Sequence, residues 1–265
     1  MHATWSGMIS FGLVNIPVKV YTAARDEKIS FHQMHRDDSG RIRYEKVCKA
    51  CENPIKTDDI IKGYEYKKGQ YVLITDEDLE KINLKTAKSI TILNFVDATE
   101  IEPLQFEKAY YIAPDEDAGR SYMLFREALT TTGKVAIGKV IFRNHEQLVA
   151  VRVVRDAIVL ETLHYADEMI KPDNIGIPSS DTKVSESELD LAKVLIEHMT
   201  SPFDPAAYRD EYETALRDII NKKIEGEEVT APPEPQPTNV IDIVAALKAS
   251  LAAAETHNGK VKKSA

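Results

Sequence analysis

The chain has 265 residues, 43% of them hydrophobic, with a formal net charge of −9, two cysteines and one tryptophan. Its length exceeds a typical single domain and suggests a main domain with an appendage, with enough apolar residues for a real core. No apolar run approaches a membrane span, and the N-terminus lacks a basic, apolar, small-residue leader; a soluble, intracellular protein with no membrane partner is expected.

The first element runs from Trp5 through Ser-Gly-Met-Ile-Ser-Phe-Gly-Leu-Val-Asn-Ile-Pro to Val18. Ile9, Phe11 and Leu13 share one face of an extended chain, and Met8, Ser10 and Gly12 share the other, as in a first barrel strand. Glycine weakens a strand unless a bend or close backbone approach requires it, which applies to Gly7 and Gly12. Pro17 removes a ladder donor and suggests an edge or a strand end.

Short β-branched or aromatic runs follow at 14–21, 40–47, 70–75, 89–96 and 106–112. Between them, Asp76-Glu-Asp78 after Thr75 reads as the acidic first turn of a short helix. Tyr122, Phe125, Ala128 and Leu129 line one face of a helix over 121–131, with Gly133 as its stop. Runs 136–143 and 148–154 flank Asn144-His-Glu-Gln147 as a hairpin, and 157–165 follows the turn at Arg155-Asp156. Many short strands at this spacing predict a barrel or sandwich. The fold expected is mainly β with α: a β-barrel core over 1–180 with a loop insertion at about 25–70, then a C-terminal helical arm.

After Pro178 the pattern becomes helical. Ser185 and Glu188 suit a capping box, with Leu189, Ala192, Leu195, Ile196 and Met199 on one face. Asp204 and Pro205 open another helix carrying Tyr208, Tyr212, Ala215, Ile219 and Lys223, ended by Gly226. These make an arm over 181–228, packed against the barrel in the simplest reading. Four prolines within 229–238 form a semi-extended linker. The last segment, 239–265, carries a stripe of Val240, Val244, Leu247 and Leu251 and a basic tail of Lys260, Lys262 and Lys263. A helix this short is marginal alone, so its apolar stripe suits docking onto a partner or onto its own dimer.

The acidic balance is local. Residues 165–228 hold 16 acidic and 7 basic residues, so the remainder is neutral with 27 of each. From Lys28 to Lys49, Lys28, Arg36, Arg41, Arg43, Lys46 and Lys49 oppose three acidic residues. A polyanion responds to that local field and not to the total. Arg41 and Arg43, one residue apart on a strand, would face successive phosphates and carry no base-reading information.

Both cysteines sit in Cys48-Lys-Ala-Cys51. His32-Gln-Met-His35 lies upstream, with 12 residues between His35 and Cys48. His32, His35, Cys48 and Cys51 have the spacing of a mixed histidine and cysteine zinc site in reversed order. Asp37-Asp-Ser-Gly40 offers the turn that would fold the cysteines back on the histidines. Such a site is structural, since four protein ligands leave no open position. Inert thiols and a redox pair are the alternatives, the second disfavoured by the absence of a helix at the first cysteine. No phosphate-binding glycine loop or nucleophile elbow is present, and Asp37-Asp38 and Asp58-Asp59 fall in polar turns, so the chain is not read as an enzyme. A metal-dependent nuclease or hydrolase built on the His/Cys/Asp cluster at 32–59 is the competing class. A single-strand or RNA binder would need aromatics interleaved with the basic residues, and Tyr44 is a thin supply.

As strings, the stretch from Trp5, Phe31-His-Gln-Met-His35, Gly40-Arg-Ile-Arg-Tyr44, Val47-Cys-Lys-Ala-Cys51, Tyr71-Val-Leu-Ile-Thr-Asp-Glu-Asp78 and Phe203-Asp-Pro-Ala-Ala-Tyr208 resemble the bacterial Ku proteins, over roughly residues 1–228. Those are homodimeric rings that thread double-stranded DNA ends and recruit a ligase for non-homologous end joining. The resemblance implies a cytoplasmic, nucleoid-associated repair protein, with the insertion as the bridge arching over DNA. Arg36, Arg41, Arg43, Lys46 and Lys49, together with Lys56, Lys67 and Lys68, would line the hole. It implies a homodimer and makes the ATP-dependent end-joining ligase the partner of the 239–265 segment. Strands around 136–165 carry apolar residues on both faces (Val153, Val154, Ile158, Val159, Leu160), so part of that surface is expected between subunits.

Overall fold

The three-dimensional structure is a computed structural model that describes residues 2–25, 27–81, 88–142, 145–172, 175–178, 184–227, 246–247 and 250. Contacts divide the chain into two units, Met1–Ile170 and Lys171–Ala265. The first contains strands β1 (Trp5–Phe11), β2 (Val14–Thr22), β3 (Lys62–Lys67), β4 (Gln70–Ile74), β5 (Ser89–Asp97), β6 (Phe106–Pro114), β7 (Lys134–Phe142), β8 (His145–Val154) and β9 (Ala157–Leu163), with helices α1 (Asp76–Glu80) and α2 (Gly119–Thr132). The second contains α3 (Glu186–Met199) and α4 (Glu211–Glu225).

Seven strands close into a barrel in the order β1-β2-β6-β9-β8-β7-β5, while β3 and β4 form a separate hairpin. Six of its seams are antiparallel; the seventh joins β1 to β5 in parallel, Met8 opposite Ser89 and Ile9 opposite Ile90. Alternation sends Ile and Val inward, since branched side chains pack well on a pleated surface. Ile9, Val18, Val20, Ile90, Val140, Val149, Val151, Ile158 and Leu160 are all buried in one core.

The run from Trp5 to Val18 is therefore two strands and not one. Gly12 and Leu13 form the turn between Phe11 and its partner Val14, with Gly12 at φ 59°, where a side chain would be strained. Gly7 has the other role expected of a strand glycine. A Cβ there would lie 2.4 Å from the Lys88 carbonyl oxygen and 2.3 Å from the Trp5 ring. Pro17 falls one residue before the first β2–β6 pair, Val18 with Pro114, where β2 is an edge on that side. Strand β8 begins earlier than the sequence suggested: Phe142 pairs with His145, so His145, Glu146 and Gln147 belong to β8.

Helix α2 matches its predicted face. Tyr122, Phe125 and Leu129 are buried in the barrel core, and Gly133 ends the helix at φ 64°. The Tyr122 hydroxyl donates to the Ile112 carbonyl at 2.8 Å and accepts from the Ile158 N–H at 3.2 Å, tying the helix to two strands. Phe11 stacks on Phe125 with ring centroids 5.0 Å apart, so α2 plugs the end of the barrel where β1 finishes.

The second apolar face of 136–165 is covered in part within the chain, while Val154 on it is exposed. Val135, Ala150 and Leu163 are buried with Ile101 in a second cluster, against which Val96, Phe106, Ile137 and Leu148 pack. Much of that face is thus covered within the chain.

In the second unit the Ser185–Glu188 capping box opens α3. Asp204 caps only a short 3₁₀ turn, Pro205–Ala207, and Asp210 opens α4 by accepting from the Glu213 N–H at 2.9 Å. Tyr208 therefore lies outside the helix. Each cap sits where an Asp side chain reaches a free N–H, and the intervening Tyr208 and Arg209 are extended enough to separate the two. Neither α3 nor α4 has a buried residue.

Two substitutions test this account. Tyr122→Phe should lower unfolding free energy by about 1–3 kcal/mol, because it strands a buried N–H and carbonyl. Gly7→Ala should cost about 1–3 kcal/mol, because the new methyl meets backbone across the closing seam. Urea unfolding monitored by Trp5 fluorescence measures both.

Candidate nucleic-acid interface

The segment between Thr22 and Ser89 leaves the barrel from β2 and returns to β5, the two strands flanking β1. Because β2 runs antiparallel and β5 parallel to β1, both ends of this excursion meet the barrel at the end where β1 begins. That is the end opposite α2. No described residue from 24 to 81 has a buried side chain.

Local geometry replaces a core. The predicted strand at 40–47 is not formed; only isolated bridges join Met34 to Arg41 and Val47 to Pro54. The turn at Asp37-Asp-Ser-Gly40 does form, with His35 N–H to Gly40 carbonyl at 2.8 Å, Ser39 at φ 55° and the Asp38 carboxylate accepting from the Gly40 N–H. A second turn follows at the cysteines, with Cys48 N–H to Asn53 carbonyl at 3.0 Å and Ile55 N–H to Lys46 carbonyl at 2.8 Å. Two tight turns consume the residues that a continuous strand would have needed.

The eight cations implied as the DNA surface are all exposed. Arg43 is held by Glu45. Arg36, Arg41, Lys46, Lys49, Lys56, Lys67 and Lys68 have no ion pair among the described residues. Arg41 and Arg43 are on an irregular segment, so the strand argument for their common face does not apply. Sequence reasoning missed β3, and with it the exposed Tyr64 and Tyr66; the alternation Lys-Gly-Tyr-Glu-Tyr-Lys was the available signal.

The four zinc candidates are not gathered. His35 Nδ1 is bonded to Asp38 at 2.9 Å, and no three His, Cys, Asp or Glu side chains among the described residues meet at metal-holding geometry. The cysteine half alone has suitable donor chemistry. Backbone N–H groups of Cys51 and then Ala50, followed by the Cys51 thiol, hold the Cys48 thiol below its ordinary range. As placed, the residues do not fit a four-ligand site, and the described residues at 32–59 supply no metal-holding group in support of a nuclease there. Asp58 and Asp59 lie in an exposed 3₁₀ turn.

Of the docking stripe, Leu247 is helical and half-buried, while Val240, Val244 and Leu251 lie outside the described residues, as do Lys260, Lys262 and Lys263. No helix among the described residues is long and apolar enough to cross a membrane.

Comparison with known proteins places this architecture. The model of the Ku70/Ku80 beta-barrel domain matches residues 10–191. The chain is 44% identical over 253 residues to the non-homologous end joining protein Ku of Archaeoglobus fulgidus, covering 96% of this chain and 99% of that one. It is 42% identical over 255 residues to the protein of the same name from Bacillus subtilis, covering 95% and 82%, and 41% identical over 256 residues to that of Solibacter usitatus, covering 97% and 95%. The chain belongs to the Ku family.

In this Ku chain the excursion between β2 and β5 falls wholly inside the matched barrel region, so it is part of the family's domain and not an appended module. Its cysteine turn makes a testable claim. A thiol with a depressed pKa ionises at lower pH, so alkylation of Cys48 by iodoacetamide should rise with a midpoint below the ordinary thiol value of about 8.5. Cys51→Ala should move that midpoint upward, because it removes one of the three stabilising donors.

Proposed function

We propose that this Ku protein binds the ends of double-stranded DNA without reading sequence, as a homodimeric ring, in non-homologous end joining. It acts as a scaffold and not as an enzyme. The observation that carries the reading is the excursion itself: among its described residues from 24 to 81 no side chain is buried, seven of the eight candidate cations have no ion pair among the described residues, and both its ends are anchored on one end of the barrel. A chain of this kind cannot be a second core. Lys and Arg left without carboxylates are suited to phosphate oxygens, which position a protein on a duplex but specify no base.

One arch cannot encircle a duplex, and two related by a two-fold axis can. The barrel also carries an uncovered apolar groove at its other end. Phe11, Val14, Phe95, Leu124, Phe125, Ala128 and Leu129 line an apolar groove of 490 Å³, and Leu124 and Phe95 are exposed. Uncovered apolar surface of this kind on a soluble chain favours association. The segment after the proline linker supports recruitment of an ATP-dependent end-joining ligase, since its stripe of Val240, Val244, Leu247 and Leu251 needs a partner to be a stable helix. A repair scaffold of this type would work in the cytoplasm, on the nucleoid.

Closed circular DNA offers no entry to a preformed hole, so it should compete poorly against linear duplex of the same sequence; equal competition overturns the threaded ring. Affinity should fall with log salt by about 0.9 per phosphate neutralised, and Arg41→Ala with Lys46→Ala should flatten that slope by roughly 1–2 while weakening all sequences alike. Sedimentation should return twice the chain mass. Deletion after Glu228 should leave end binding nearly intact and reduce stimulation of ligation; full stimulation by the truncated protein overturns the docking role.

A further inference from the structure

We infer that the β3–β4 hairpin is a stacking platform for unpaired nucleotides, so that this protein takes single-stranded overhangs at DNA ends as well as duplex. This rests on the end-binding reading and adds a second class of ligand to it. The hairpin exposes three tyrosines on two short strands: Tyr64 and Tyr66 on β3 and Tyr71 on β4, at 66%, 56% and 60% exposure. None of their hydroxyls has a hydrogen-bond partner among the described residues. Tyr64 stands opposite Val72 and Glu65 opposite Tyr71, so Tyr71 lies on the other face of the hairpin from Tyr64; Tyr66 is the extra residue where the register shifts between Glu65 and Lys67. Such a shift re-aims a side chain out of the ladder. It sets an aromatic ring next to Lys67 and Lys68, which have no ion pair among the described residues, at the turn where Gly69 sits at φ 75°.

Rings interleaved with free cations are what unpaired nucleotides require. Each base offers a π-face whatever its identity, and the phosphates between bases need positive charge. A duplex end shares the second need but not the first, because its bases are already stacked. Contact with a second copy of the same hairpin is the competing use of this surface. Charge disfavours it, since a two-fold contact would set Lys67 and Lys68 against their own copies, whereas a polyanion meets them with opposite sign.

The full-length protein should be titrated with a blunt duplex and with the same duplex carrying a short 3′ oligothymidine extension. The extended end should bind about tenfold more tightly. Tyr64→Ala with Tyr66→Ala should abolish that difference while leaving blunt-end binding, sedimented mass and the unfolding midpoint as in the wild type, because the rings are exposed. Tyr64→Phe with Tyr66→Phe should keep the difference, since the ring and not the hydroxyl stacks. Equal binding of both ends by the wild type overturns the inference. So does a double alanine variant that loses both substrates alike or changes its sedimented mass, which would assign the hairpin to the contact between copies. Failure of the wild type to bind the blunt duplex falls on the end-binding reading itself; failure of the extension alone falls only on this one.

Discussion

Closure of the barrel depends on the parallel seam between β1 and β5, and that seam depends on a missing side chain. At Gly7 the Lys88 carbonyl and the Trp5 ring occupy the volume that any Cβ would fill. The strands thereby approach closely enough for Met8 to pair with Ser89 and Ile9 with Ile90, and a Ser89 to Ser10 hydroxyl bond of 2.8 Å adds to the join. A closed sheet has no edges to protect. The interior can then be filled almost wholly by Ile and Val, with α2 supplying the aromatic plug at one end.

A rigid barrel makes an exposed excursion tolerable. The chain between β2 and β5 has no core of its own, and its order comes from tight turns at Ser39 and Cys48 to Glu52, two isolated bridges and one hairpin. Such a segment would be expensive as an independent unit, because ordering it removes conformational entropy with little apolar burial in return. Its feet are fixed on either side of β1, so the barrel limits where the loop can go. The core and the cation-rich surface are thus separated: α2 and the core secure one end of the barrel, and the cations project from the other. Substitutions in the excursion should act on binding and leave the stability of the barrel nearly unchanged.

The same separation explains which charges remain available. On the barrel, carboxylates meet cations at close range, as in Lys19 with Asp115 at 2.6 Å, Lys139 with Glu146 at 2.7 Å and Arg152 with Glu161 at 2.7 Å. Arg152 and Glu161 share a partly buried face beside the Phe106 ring, where leaving either one alone would be costly. In the excursion Arg43, Lys62 and Lys81 are paired, and most of the other cations have no ion pair among the described residues. A chain with a net charge of −9 can therefore present a positive surface, because its acidic excess lies in residues 165–228.

The sequence by itself determined the α2 face, the acidic first turn after Thr75, the cap at Ser185 and the glycine stops at Gly133 and Gly226, because each is set by neighbours within a few residues. It also carried the family, through strings that persist along the whole barrel region. Tertiary structure decided the rest. Only pairing with Val14 turns Gly12 from a strand position into a hairpin. Part of the apolar outer face of β7 to β9 is covered by Ile101 and Phe106, which are distant in sequence, so only the fold shows that cover. Spacing alone placed His32, His35, Cys48 and Cys51 together, but spacing fixes ligand order and not position, and two separate turns direct the pairs elsewhere. The residues from 40 to 47 have strand propensity without a neighbouring strand to bond, and a strand exists only where another chain segment completes its hydrogen bonds.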